Sequence, residues 1–173
     1  MAKVIRINRA PVLTLWAAVV AQRLGFRWDE ALTLGKALAG LNAYSKGVSL
    51  GLMEPAPEAV REERRAVEGK RLHVDLMHRA VSVTVTPEGL RALAKDRPIS
   101  PESVERYLAG KFGADLDEVT KAMQALAKAV PPRTLAKEAY RLYEHFRPDI
   151  PPGVQGWGAA GALKLDSLKA LAR

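Results

Sequence analysis

The sequence predicts a mainly α protein, with about seven helices in one compact, bundle-like domain and a small antiparallel β-hairpin over residues 71–86. Three observations carry this expectation. Apolar residues recur at three- and four-residue steps through most of the chain. Proline, serine, aspartate and glycine stand where helices start and stop. Only around residues 72–85 does the period fall to two. A chain of 173 residues without cysteine fits one domain whose core needs no covalent staple.

The elements follow in order. Lys3 to Ile7 reads as a strand that could add to the hairpin, since two strands alone are marginal in water. Pro11 opens a helix over 11–24, with Val12, Leu15, Trp16, Val19, Val20 and Leu24 on a stripe so broad that most of its circumference should be buried. Gly25 ends it. Asp29 is expected to cap a second helix reaching about Ser45, with Ala31, Leu34, Leu38 and Leu41 inward and Gly47 beyond its end. Gly35 and Gly40 weaken that helix by about 1 kcal/mol each relative to alanine, and close approach of another helix would be the usual return.

Pro55 and Pro57 mark a break, and Glu58 to Glu68 reads as a sparse amphipathic surface helix. Leu72, Val74 and Leu76, then Val81, Val83 and Val85, alternate with polar neighbours as the two hairpin strands. Thr86-Pro87 is expected to start a short helix ending near Lys95. Ser100-Pro101 starts the next, with Val104, Leu108 and Phe112 before Gly113. Asp115 and Glu118 form a capping-box pair for a helix striped by Leu116, Val119, Met123 and Leu126 that Pro131-Pro132 ends. A further helix carries Leu135, Ala139, Leu142, Tyr143 and Phe146 to Pro148. A proline- and glycine-rich connector then leads to a last helix, Asp166 to Ala172.

Charge narrows the partners. The net +8 is uneven: residues 1–50 hold Lys3, Arg6, Arg9, Arg23, Arg27, Lys36 and Lys46 against only Asp29 and Glu30, whereas residues 101–150 are balanced. A polyanionic partner fits such a stretch. The lack of cysteine excludes thiol redox chemistry, Cys-ligated zinc and iron–sulfur clusters, and fits a cytoplasmic protein. Scarce asparagine and glutamine beside abundant Arg, Leu and Ala suit heat-adapted proteins and GC-rich genomes alike. Lys3, Arg6 and Arg9 ahead of Val12 to Ala21 imitate a signal peptide. A buried helix is the expectation instead, and a run of about ten residues is too short to span a bilayer, so no membrane role is expected.

Residues 17–36, AAVVAQRLGFRWDEALTLGK, carry Ala21 and Gly25 with Val20, Leu24, Phe26, Ala31 and Leu34 at buried spacing. In this they resemble the helix-turn-helix of bacterial repressors and related regulators, in which a small residue packs the helices together and a glycine opens the turn. The resemblance covers about twenty residues and implies a groove-reading second helix. Arg23, Arg27, Thr33 and Lys36 would then meet phosphates or base edges, together with Lys46. The hairpin, with Lys70, Arg71, His78 and Arg79, would act as a wing. Asp29 and Glu30 would face the polyanion, and Trp28 and Leu32 stand where polar side chains are usual, so an ordinary helical hairpin remains open.

Two other patterns are weaker. GWGAAG at residues 156–161 formally matches G-x-G-x-x-G but lacks the strand–helix setting and the downstream acid, and reads better as a turn seating Trp157. An anion at the start of the last helix, near Lys164, is its alternative. His73 and Asp75 share one strand face as in a facial triad, with His145 or His78 as third ligand, but a solvated hairpin face explains them more simply. No phosphate loop, HExxH, GxSxG or cysteine nucleophile is present.

The expected function is therefore non-enzymatic association with nucleic acid, without cofactor, metal or small-molecule ligand. The alternative is a protein-interaction or homo-oligomerising module with Trp28 and Leu32 at the contact. An enzyme acting on a small anion near the tail glycines is the third class.

Overall fold

The structure, a computed structural model, describes residues 3–49, 72–151 and 160–173, with side chains described through residue 42 in the first stretch. Among these residues it is a mixed α/β fold in which helices pack with two antiparallel sheets. The expected seven-helix bundle with one hairpin is thereby overturned.

Helix α1 (Arg9–Arg23) is the centre, with every residue from Pro11 to Ala21 buried. A helix apolar on all sides can lower its free energy only by being surrounded. Helix α2 (Trp28–Ser49) covers one flank of α1, and α3 (Pro101–Phe112), α4 (Leu116–Ala129) and α5 (Pro132–Phe146) cover the rest. Trp16 fixes the α5 side: its indole Nε1 donates to the Ala139 carbonyl at 2.9 Å, and its ring meets Phe146 edge-on at 5.2 Å.

The α1–α2 turn closes as a Schellman motif. The Phe26 amide donates to the Ala21 carbonyl and that of Gly25 to Gln22, with Gly25 at φ 120°. Gly35 brings the two helices together, since a Cβ there would run into the Thr14 carbonyl oxygen and lie 3.0 Å from the Ala18 nitrogen. Gly40 has open space instead, so close packing explains only the first of the two glycines. The start of α2 also differs from expectation. The Glu30 side chain, not Asp29, accepts from the Arg27 amide at 3.1 Å, which is half of a capping box.

The larger sheet is a meander, β2 (Leu72–Leu76), β3 (Arg79–Thr86), β4 (Gly89–Ala94) and β5 (Arg97–Pro98), in that spatial order. Met77 and His78 both have positive φ, as do Lys95 and Asp96, the pattern of two-residue hairpin turns matched to strand twist. Strand β4 replaces the helix expected over 87–95. Leu, Arg and Ala are good helix formers, but pairing with β3 and the seating of Ala92 on α2 override that preference.

The smaller sheet pairs β1 (Val4–Asn8) with β6 (Ala160–Lys164), Ile5 opposite Leu163. The N-terminal strand thus joins the far end of the chain rather than the hairpin. Asp149 bridges Ala162 through two backbone hydrogen bonds, and a Cβ at Gly161 would press on the Asp149 carbonyl, so this crossing requires glycine. Helix α6 (Leu165–Leu171) then packs on α4. The Asp115 side chain does not cap α4. It pairs with Lys3 at 2.8 Å, and Glu118 holds Lys3 at 3.0 Å and Lys169 at 3.5 Å. Among the described residues no helix is long and apolar enough to cross a membrane. The helix expected over 58–68 lies outside the described residues, as do Lys70, Arg71 and Trp157 and the side chain of Lys46.

Candidate nucleic-acid interface

The first half of α2 is covered by β4. Thr33 is fully buried, its hydroxyl donating to the Glu30 carbonyl at 2.8 Å and accepting from the Ala92 amide at 3.0 Å. Thr33 therefore cannot reach a base edge or a phosphate, and a groove-reading role for this part of the helix is corrected. Leu32 is equally buried and Trp28 packs partly buried against the core, so the side chains expected at a subunit contact serve the interior instead.

The two carboxylates that would repel a polyanion are engaged within the fold. Glu30 accepts from the Leu90 amide at 2.9 Å, a use of the orphan donor at a strand end. Asp29 binds the Arg27 guanidinium at 3.1 Å and that of Arg91 at 3.0 Å. Burial would raise the Asp29 pKa, but the hydrogen bond from Arg27 and the charges of Arg27 and Arg91 outweigh it and hold the carboxyl below its ordinary value. Arg91, which sequence reasoning missed, is the buried member of this group. Its position in an apparent helix hid its role.

The expected cations thus have separate fates. Arg27 is exposed but shares its charge with Asp29 and Glu30 and donates to the Glu88 carbonyl. Arg23, at the end of α1, donates through Nε to the Ala127 carbonyl at 3.2 Å. Arg79 donates to the Asn42 side chain at 3.3 Å, and the His78 ring contacts the Lys137 carbonyl at 2.8 Å, which ties the proposed wing to α5.

Lys36 differs from all of these. It is half-buried between α2 and α3, with Nζ 3.5 Å from the Tyr107 ring centroid, a cation–π contact. Burial lowers its pKa, and repulsion from Lys111 adds to the effect. Lys111 lies one turn after Tyr107 on α3, so the helix places both on one face. Among the described residues neither lysine has a carboxylate partner. Gly40, one turn beyond Lys36, and Gly110, beside Lys111, both have open space where a Cβ would stand. The result is a surface strip in which a half-buried lysine lies on an aromatic ring, a second lysine stands one turn from that ring, and the helix backbone is accessible at two glycines. Sequence could identify Lys36 as a candidate on α2, but its approach to Tyr107 is a contact across more than seventy residues.

His73 and Asp75 lie exposed on β2, and His145 is exposed on α5; among the described residues no three metal-ligating side chains converge. The G-x-G-x-x-G match runs into strand β6 rather than opening a helix. The chain matches no family model, no curated protein and no solved structure at a significant level.

Proposed function

We propose that the protein associates with nucleic acid through the Lys36–Tyr107–Lys111 strip and carries out no catalytic step there. The observation that supports this is Lys36, half-buried on the Tyr107 ring with Lys111 one turn further along the same helix face, and no carboxylate partner for either lysine among the described residues. Such a pair costs free energy in the unliganded protein. A phosphodiester relieves that cost by neutralising both groups and displacing its own counterions. The bare helix surface at Gly40 and Gly110 lets a backbone approach closely, and the net charge of +8 favours encounter.

Fluorescence anisotropy with duplex and single-stranded DNA at two salt concentrations tests this. Affinity should fall steeply with salt, and Lys36→Glu with Lys111→Glu should abolish binding while Arg27→Gln leaves it intact. Loss with Arg27→Gln alone would place the contact on the α2 N-terminus instead.

Self-association is the second reading. Leu72 and Val85 are diagonal neighbours on one face of β2 and β3 and are 58% and 67% exposed. A light-scattering mass of one chain at micromolar concentration would remove it.

A further inference from the structure

Helices α1 and α4 enclose a half-open cleft of about 440 Å³, lined by Val19, Gln22, Arg23, Gln124, Ala127 and Lys128. That volume falls within the range of small-molecule sites. Among the described residues no carboxylate lines it. Arg23 is oriented by its Nε bond to the Ala127 carbonyl, which leaves its terminal amino groups to form the paired N–H fork that fits two oxygens of a phosphate. Lys128 supplies a second cation as a mobile point charge. Complementing the helix ends explains why cations stand in the last turns of α1 and α4. It does not explain two primary amides, one from each helix, in the same recess.

From this combination we infer that the cleft binds a nucleoside monophosphate. Arg23 and Lys128 hold the phosphate. Gln22 and Gln124, each both donor and acceptor, meet the polar edge of the base. Val19 and Ala127 form a small apolar floor under the ring or sugar. The site is separate from the Lys36–Tyr107–Lys111 strip and does not depend on nucleic-acid docking there.

Isothermal titration of the full chain with AMP and GMP tests the inference, with inorganic phosphate and adenosine as separate arms. A nucleotide should bind with Kd on the order of 10–100 µM, tighter than either fragment. Lys128→Glu and Arg23→Gln should each weaken it at least about tenfold. Gln124→Leu should weaken the nucleotide while leaving phosphate binding unchanged, and the Lys36→Glu, Lys111→Glu variant should bind normally. If Arg23→Gln fails to fold, the exposed Lys128 and partly buried Gln124 variants decide the question. Absence of nucleotide binding at about 1 mM, well above the expected constant, would overturn the inference. So would phosphate binding as tightly as the nucleotide, or indifference to both Lys128→Glu and Gln124→Leu.

Discussion

Gly35 and Gly40 lie five residues apart in one helix, yet the same substitution should act on them in opposite directions. In Gly35→Ala the new Cβ meets the Thr14 carbonyl oxygen and sits 3.0 Å from the Ala18 nitrogen and 3.3 Å from the Ala18 Cβ. The two nearest atoms are backbone of the central helix, so relief requires α1 and α2 to separate. Overpacking of this kind costs about 3 kcal/mol, against about 1 kcal/mol regained in helix propensity, for a net loss of about 2 kcal/mol. Gly40→Ala meets nothing within 4 Å and should gain about 0.5–1 kcal/mol. At about 2–4 °C per kcal/mol for a chain of this size, Tm should fall by about 4–8 °C for the first variant and rise by about 1–4 °C for the second. Urea unfolding with unchanged m-values would give the same ordering. Equal stability of the two variants, or a more stable Gly35→Ala, would refute the α1–α2 packing described above.

Three further outcomes follow from the seal between α2 and β4 and from the lysine strip. Thr33→Val leaves the buried Ala92 amide without an acceptor and should cost about 1–3 kcal/mol in urea unfolding. Because the folded-state pKa of Asp29 is depressed, its ion pairs contribute stability above the unfolded pKa of about 4 and lose it as pH falls through the folded value; Asp29→Asn should flatten that acid limb in thermal melts. Lys36, with a folded pKa below the ordinary lysine value, should lose its proton at a lower pH than an unperturbed lysine in an NMR titration, and bound duplex DNA should raise that pKa by favouring the ammonium form.

The central helix and its stop were legible because their determinants are local. Pro11, the unbroken apolar surface and Gly25 fix a buried helix and a Schellman turn without reference to the rest of the chain. The same holds for Ser100, whose hydroxyl accepts from the Ser103 amide at 3.3 Å, and for the strand alternation of β2 and β3. What was not legible depends on distant partners. Strand β4 carries helix-forming residues and is a strand because β3 pairs with it and α2 lies against it. Strand β1 pairs with β6 across most of the chain, and no local period announces that. The site divides in the same way. A basic N-terminal region is a property of composition, whereas the burial of Thr33, the pairing of Asp29 with Arg91 and the meeting of Lys36 with Tyr107 all arise from tertiary packing.

The most direct measurement is the salt dependence of DNA binding by the unaltered protein and by the Lys36→Glu, Lys111→Glu variant, with circular dichroism confirming that both are folded. Docking at the strip predicts log–log salt dependence in the unaltered protein, of which the two lysines supply a slope of about 2, and no measurable binding by the variant at physiological salt. Undiminished binding by the folded variant, or an affinity indifferent to salt, would contradict it.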